Sequence, residues 1–436
     1  MRIKLKTLGC RLNEAELETW AQQFQADGHR IVPDSEEADL IVLNSCAVTQ
    51  DAARKSRHLI RRMHRENPTA KLVVSGCYAT LNPEETRDAL GVDLIVGNAD
   101  KVRLVEISRE ALAMPTMPAF STEPGEAALF TLGRQRAFVK VQDGCRHHCT
   151  FCIVTLARGE EKSRAIGEVV DEINALHRQG IEEFILTGVH LGGWGSEKGM
   201  RLDDLIRAVL DDTGVKRLRL GSLEPWELSE DFFTLWQNPR LMPHLHLPLQ
   251  SGSNTVLRRM ARRCKTAEFA GLVNSARSAC SDMNITTDII VGFPGETAEQ
   301  WEEGLEFINA QAFGHIHIFA YSIREGTRAA GLPDQVPDPV KKARAQQLRG
   351  LAEKHQRATL SRFLGRDMPV LWEAGGEILE NGRRRFRGLT PNYLRVETLE
   401  EPGRDLCRRI ANARLLAIGG DGDCLTAELL PESVGT

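Results

Sequence analysis

Apolar residues in the first hundred positions come in short blocks separated by amphipathic stretches. Ile3 to Leu8, Leu40 to Leu43, Leu72 to Val74 and Leu94 to Val96 read as buried strands, with helical periodicity between them at Glu14 to Asp27 and Ala52 to Glu66. This alternation predicts a parallel α/β sheet. Met114 to Gly125, with three prolines among small and polar residues, reads as a linker. The alternation then resumes with six strands, at Ala137 to Gln142, Phe184 to Leu186, Arg217 to Leu220, His244 to Leu249, Thr286 to Val291 and His315 to Tyr321. Ile166, Val169, Val170, Ile173 and Leu176 share one helical face, and Thr297 with Gln300 makes a capping box. Six strand-helix repeats imply parallel strands with right-handed crossovers, as an open sheet or a partial barrel. Prolines between Leu332 and Pro339 mark a boundary, and a helix follows from Pro339 to Leu364 with Gly365 as its stop. The short apolar runs of Arg366 to Leu430 predict a small antiparallel β module.

Composition narrows the class. The 436 residues leave room for roughly three domains of about 150 residues each. No apolar run approaches the ~18 residues of a membrane span, and Met1 to Cys10 alternates lysine with aliphatics where a signal peptide would have a long apolar core. A cytoplasmic protein without membrane association is expected. Fifty-six Lys and Arg against sixty Asp and Glu give a net charge of -4, so any nucleic-acid affinity has to come from local patches. Ten cysteines in such a chain predict thiolates for metal or redox chemistry instead of disulfides. Phosphate-binding loops and serine nucleophile elbows are missing from the sequence.

The sharpest chemical signal is Gly144-Cys145-Arg146-His147-His148-Cys149-Thr150-Phe151-Cys152, a C-x3-C-x2-C run directly after the first strand of the second alternation. Three thiolates cannot close a tetrahedral zinc site without a fourth ligand, for which His147 or His148 is available; a four-iron cluster with one open iron needs only the three. Cys10, Cys46 and Cys77 each follow a predicted strand, and the carboxyl ends of parallel strands share one edge of a sheet, so these three can converge as well. Each alone is at least as consistent with core packing. Cys264, Cys280, Cys407 and Cys424 are given no role beyond packing.

The claw, with Phe151 before its last cysteine, resembles the signature of radical S-adenosylmethionine enzymes. That resemblance implies a partial (βα)6 barrel, a 4Fe-4S cluster on Cys145, Cys149 and Cys152, and reductive cleavage of S-adenosylmethionine to a deoxyadenosyl radical. Phe151, Thr187 and Gly188 are the implied cofactor contacts. Leu8-Gly9-Cys10-Arg11-Leu12-Asn13, Asn44-Ser45-Cys46-Ala47-Val48-Thr49 and Ser75-Gly76-Cys77-Tyr78-Ala79 together resemble the amino-terminal domain of methylthiotransferases, which holds a second 4Fe-4S cluster on three cysteines. S-adenosylmethionine then serves as both methyl donor and radical source, and no acid or base side chain is assigned to catalysis. The stretch NSCAVTQDAARKSR, Asn44 to Arg57, is most similar to the branch that methylthiolates carbon 2 of N6-threonylcarbamoyladenosine in transfer RNA. Sister branches act on isopentenyladenosine in transfer RNA or on an aspartate of a ribosomal protein. The sequence departs from the family in lacking a proline near Thr155 and in having Cys264 where an aromatic is common.

Between Lys341 and Arg409 sixteen Lys or Arg face nine Asp or Glu, a local excess of seven positive charges in a chain that is negative overall. Arg383, Arg384, Arg385, Phe386 and Arg387, with Tyr393 and Arg395 beyond, set guanidinium groups beside aromatics, a composition suited to phosphate contact and base stacking. The same region resembles the small RNA-binding β-barrel called TRAM. A second basic stretch, Arg54, Lys55, Arg57, Arg61, Arg62 and Arg65, follows Cys46 on one predicted helix. The expected domains are 1–112, 131–364 and 366–432. The expected partners are transfer RNA, an electron donor and a sulfur source, with the enzyme as a monomer. The rival from another class is a non-catalytic iron-sulfur or zinc protein that binds RNA and senses redox state.

Overall fold

A computed structural model describes residues 1–114, 135–229, 231–373 and 376–431. The predicted linker beyond Met114 and the expected borders at 131 and 432 lie outside the described residues. The chain forms two compact units: Met1–Arg201 with Ser322–Gly331, and Leu202–Tyr321 with Leu332–Thr436.

The first unit opens with β1 (Arg2–Thr7), α1 (Arg11–Ala26), β2 (Arg30–Ile31), β3 (Leu40–Ser45), α2 (Gln50–Glu66), β4 (Lys71–Gly76), α3 (Cys77–Leu81), α4 (Pro83–Leu90), β5 (Leu94–Val96) and α5 (Leu104–Ala111). The strands make one parallel sheet in the order β2-β1-β3-β4-β5. Every residue of β3 is buried, as a central parallel strand covered on both faces requires. Its period of two sends Leu40 and Val42 to one core with Trp20, Phe24 and Leu104, and Ile41 and Leu43 to the other with Ile60 and Met63. The edge strand β2 was not expected, because two residues carry no periodic signal. Thr49 caps α2, its hydroxyl accepting from Ala52 N–H at 3.1 Å. The same unit holds β6 (Arg136–Lys140), β7 (Gln142–Asp143), α6 (Val154–Arg158), β8 (Lys162–Ser163), α7 (Ile166–Arg178) and β9 (Glu183–Thr187), with β6 and β9 parallel.

The second unit continues with α8 (Leu202–Asp212), β10 (Arg217–Leu220), β11 (His244–His246), α9 (Asn254–Arg259), α10 (Thr266–Ala279), β12 (Asn284–Val291), α11 (Ala298–Gln311), β13 (His315–Ala320) and α12 (Asp338–Ser361). Strands β11, β12 and β13 pair in parallel, and β10 meets β11 through parallel bridges at Leu218–Leu241 and Ser222–His246. The expected capping box forms: Thr297 Oγ1 accepts from Gln300 N–H at 3.3 Å, and Gln300 Oε1 from Thr297 N–H at 3.4 Å. The helix α12 ends at Ser361, and Gly365 lies beyond it at a φ of +77°.

The C-terminal module comprises β14 (Asp367–Trp372), β15 (Glu377–Ile378), β16 (Arg384–Leu389), β17 (Arg395–Glu400), β18 (Ile410–Ile418) and β19 (Leu425–Leu429). Pairing runs β14-β18-β19-β17-β16 and returns to β14, closing a barrel. The module is antiparallel, as expected, except for one parallel pair, β17 with β19. Five strands in a ring cannot alternate in direction all the way round, so one neighbouring pair has to agree. Strand β10 bears on this barrel through two buried arginines. Arg217 donates to the carbonyls of Leu389 and Pro369 at 3.1 and 2.6 Å, and Arg219 to those of Pro391 and Thr390 at 2.7 and 2.9 Å. No helix among the described residues is long and apolar enough to cross a membrane.

Candidate metal centres

Cys10, Cys46 and Cys77 sit at the carboxyl ends of β1, β3 and β4, which are neighbours in the sheet. Local backbone fixes each one. Gly9 has a φ of +121°, and a Cβ there would lie 2.7 Å from Cys46 Cβ and 2.8 Å from its Sγ. Gly76 has a φ of +94°, and a Cβ there would stand 2.2 Å from Ser45 O. Ser56 clamps the Cys46 backbone, accepting from its N–H at 3.0 Å and donating to its carbonyl at 2.8 Å. Asn98 donates to Cys77 Sγ at 3.7 Å and to Ala157 O at 2.7 Å. Cys46 and Cys77 are buried, whereas Cys10 keeps a face open to solvent. Burial, aided by the other two sulfurs, pushes the Cys46 thiol up to about 11. The protein around the inner sides of Cys10 raises that thiol too, against the pull of Arg158. Converging thiols that resist ionisation are satisfied by a bound cation, so the set fits a thiolate-liganded metal.

Behind these cysteines lies a buried ion network that sequence reading did not find. The Glu16 carboxylate is paired with Lys101 at 2.6 Å, Lys140 at 3.1 Å and Arg158 at 3.0 Å, and accepts from Asn44 at 2.9 Å. Asp143 joins through Arg158 at 2.9 Å and Lys140 at 2.6 Å, and Arg158 also donates to Asn13 Oδ1 at 2.8 Å. Burial opposes the charge on Glu16, but Lys101, Arg158 and Lys140 overcome it and hold the carboxyl well below its usual range. Three cations against two anions leave a net positive charge beside the thiols, the sign that stabilises thiolates. Residues 16, 101, 140, 143 and 158 are scattered through the sequence and carry no shared spacing.

The claw follows β7. Gly144 is positioned by a φ of +72°, and a Cβ on it would fall 1.8 Å from Glu160 O. Cys145, Cys149 and Cys152 are all half-buried. Backbone N–H groups already point at two sulfurs, from His147 to Cys145 Sγ and from Val154 to Cys152 Sγ, each at 3.4 Å. Such donors suit anionic sulfur, so this set also fits a cluster. His147 turns its Nε2 to His190 Nε2 at 3.1 Å, and His190 Nδ1 bonds Glu161. The Nε2 of His147 is thus engaged by His190, which Glu161 orients in turn. Thr155, where the family's proline is missing, donates its hydroxyl to His147 O at 3.1 Å and so ties the loop by another route.

Thr187 ends β9, and its carbonyl already accepts from Val141 N–H at 2.9 Å. The backbone available past the strand is therefore that of Gly188 and Val189. Gly188 has no room for a side chain because the Gln142 side chain passes 2.9 Å from its Cβ position. Gln142 donates to the carbonyls of Asp143 and Gly144 at 2.9 and 2.8 Å and accepts from His190 N–H at 2.8 Å, joining the entry of the claw to the end of β9. Phe151 is half-buried in the claw's own loop.

In the basic C-terminal segment, the aromatics depart from expectation. Phe386 is fully buried in the barrel core, so it is not a base-stacking residue. Alternation along β16 turns it inward between Arg385 and Arg387. Tyr393 stacks on His244 with ring centroids 4.7 Å apart, and the Arg219 guanidinium lies 4.9 Å from the centre of its ring. Among the arginines, Arg383 pairs with Glu401 at 3.2 Å and Arg385 with Glu377 at 3.3 Å, while Arg387 is exposed. On α2, Arg54 and Lys55 are both held by Asp51, at 2.6 and 2.7 Å. In the second unit His246 Nε2 lies 3.2 Å from Asp288.

Two family models match the chain: Uncharacterized protein family UPF0004 over residues 2–97, and Radical SAM superfamily over residues 139–308. A Threonylcarbamoyladenosine tRNA methylthiotransferase MtaB of Bacillus subtilis is 35% identical over 96% of this chain and 94% of its own length. A tRNA-2-methylthio-N(6)-dimethylallyladenosine synthase of Cereibacter sphaeroides is 34% identical over 92% of this chain and 93% of its own. Among solved structures, the radical S-adenosylmethionine methyltransferase TsrM of Kitasatospora setae aligns with a TM-score of 0.57 at 15% identity, covering 76% of this chain and 77% of that one, and shares the fold. With both family models matching in succession, and relatives of this identity spanning nearly its whole length, the chain belongs to the radical S-adenosylmethionine family of tRNA methylthiotransferases.

Proposed function

We propose that this enzyme inserts a methylthio group at carbon 2 of N6-threonylcarbamoyladenosine beside the anticodon of transfer RNA. It would act as a cytoplasmic monomer supplied with electrons and sulfur by other proteins. Cys145, Cys149 and Cys152 would hold the family's 4Fe-4S cluster and Cys10, Cys46 and Cys77 a second one. The observation that carries the reading is that both cysteine triads lie in one compact unit, with Arg158 and Asn98 linking the helix after the claw to the other set. When bound, the clusters and S-adenosylmethionine supply what side chains cannot, an electron for cofactor cleavage, a radical that removes an aromatic C–H hydrogen, and the sulfur itself.

The chain's own residues hold, orient and exclude. Gln142 packs into the space that the bare Gly188 leaves and fixes the turn into the claw relative to the end of β9, where the backbone of Gly188 and Val189 would meet the polar end of S-adenosylmethionine. Backbone N–H groups of His147 and Val154 stabilise negative sulfur. The positively charged network around Glu16 offsets the charge of thiolates at Cys10 and Cys77. The exposed Arg387 and its neighbours on the TRAM-like barrel would meet phosphates, without base stacking by Phe386.

Incubation of the fully loaded enzyme with S-adenosylmethionine, dithionite and transfer RNA containing threonylcarbamoyladenosine, followed by nucleoside mass analysis, tests the reading. A methylthio increment on that nucleoside supports it, and an increment only on dimethylallyladenosine refutes the branch. Cys149→Ala should abolish deoxyadenosine release. Cys46→Ala should retain some release yet make no thiolated product; continued product would remove the second triad from the chemistry.

A further inference from the structure

Two arginines flank the Cys46–Tyr78 edge of the first unit, and no ion pair of either with a carboxylate is seen among the described residues. Arg57 lies on α2 directly after Ser56, the residue that clamps Cys46, and its guanidinium rests 5.9 Å from the centre of the Tyr78 ring. Tyr78 follows Cys77, and its hydroxyl is engaged with Glu85 at 2.8 Å. Arg324 comes from Ser322–Gly331, which belongs to the same unit. Gln50, the first residue of α2, holds that segment: its N–H donates to Ser322 Oγ at 3.3 Å and its side chain to Ile323 O at 2.9 Å. Arg324 is thereby brought near enough to Cys46 and Arg57 for the charge of each to act on it. Its Nε is buried with no hydrogen-bond partner among the described residues. The nearby acid Asp51 is already shared by Arg54 and Lys55. A buried Nε–H without an acceptor, within range of a second positive charge, is better satisfied when an anionic group sits beside both arginines.

We propose that Arg57 and Arg324 bind the carboxylate of the substrate's N6 substituent, and so select threonylcarbamoyladenosine over dimethylallyladenosine. The inference rests on the substrate branch proposed above. A threonylcarbamoyl group ends in a free carboxylate, which two guanidinium forks can take with charge-assisted hydrogen bonds. A dimethylallyl group is a five-carbon hydrocarbon and offers those donors nothing. The exposed apolar side chains of Val48, two residues after Cys46, and of Ile323, which precedes Arg324, suit the neutral remainder of the nucleoside. Discrimination of this kind is strong because the arginines are left unsatisfied by the wrong substrate.

The test compares anticodon stem-loops carrying threonylcarbamoyladenosine, its carboxyl methyl ester, dimethylallyladenosine or plain adenosine, bound at fixed salt to enzyme loaded with both clusters. Wild-type protein should bind the free carboxylate about tenfold to a hundredfold more tightly than the ester or plain adenosine. Arg324→Met should remove most of that preference while leaving the affinity for plain adenosine unchanged, and Arg324→Lys should keep part of it. Equal affinity of the wild-type enzyme for acid and ester overturns the inference, without depending on the folding of any variant. An equal loss by Arg324→Met on every RNA also overturns it, by making Arg324 a phosphate contact. Loss of iron from Arg324→Met at unchanged preference overturns it in favour of a role toward the second cluster. If the wild-type enzyme thiolates threonylcarbamoyladenosine while showing no carboxylate preference, the inference falls and the branch stands. If it thiolates only dimethylallyladenosine, both fall.

Discussion

Replacing Glu16 by Gln keeps shape and removes one buried charge, which isolates the electrostatic role of the network behind Cys10, Cys46 and Cys77. In the wild type three cations lie 2.6 to 3.1 Å from this carboxylate. Lys101 is only 1% exposed and Arg158 2%, so water cannot replace the lost partner. Each contact carries about 5 kcal/mol of attraction at an effective dielectric of 20, most of it offset by the cost of burying the charges. Removing one member of a buried pair costs about 3–5 kcal/mol, and with Arg158 and Lys140 left to share Asp143 and Lys101 deprived of its carboxylate we expect about 4 kcal/mol. The acid dependence provides a second reading. The folded carboxyl is depressed below its ordinary 4.5, so its contribution is fully present above that pH and is lost as pH falls through the folded value. The deficit of Glu16→Gln should therefore be constant from neutral pH down to about 5 and shrink below it. Urea unfolding of the loaded protein, followed through Trp20, whose indole donates to Lys101 O at 3.0 Å, measures both. A deficit under about 1 kcal/mol at pH 7, or one that stays constant well below pH 4, would refute the reasoning.

Three further outcomes follow from the geometry. Gly144→Ala should leave the first sheet intact but lower the iron bound at the claw, because its Cβ would fall 1.8 Å from Glu160 O; full iron content by metal analysis would contradict this. Phe386→Ala should cost about 3–5 kcal/mol in the C-terminal barrel and show as a lowered unfolding temperature, whereas Arg387→Ala should leave that temperature alone and reduce the salt dependence of RNA binding by about one phosphate contact. Thr155→Val should loosen the claw's loop by about 1 kcal/mol, seen as faster loss of iron to a chelator, since it deletes the only side-chain tie from Thr155 to His147 O.

Signals that live within one element were legible in the sequence. The hydrophobic blocks marked the sheet strands, the capping box opened α11 as expected, and the claw's spacing singled out Cys145, Cys149 and Cys152. Convergence of Cys10, Cys46 and Cys77 could be anticipated because a parallel sheet collects strand ends on one edge. Charges that pair across elements were not legible. Glu16, Lys101, Lys140 and Arg158 each look like an ordinary surface residue until folding buries them together. Arg217 and Arg219 alternate with leucines along β10 and read as the solvent face of a strand; carbonyls from a segment 150 and more residues later bury them instead. Phe386 was misplaced for a different reason. Its neighbours suggested an RNA surface, while the period of two along β16 already pointed it inward.

Those two arginines make the end of the chain a condition for completing its middle. The buried guanidinium groups of β10 take four carbonyl acceptors, on Pro369, Leu389, Thr390 and Pro391, that leave the ribosome 152 to 172 residues after the strand itself. During translation the first unit's sheet can close as soon as its strands emerge, but the second unit waits for the terminal barrel. A chain cut at Gly365 would lose more than a separate module: it would lose four buried carbonyl acceptors of β10 together with the barrel that presents them.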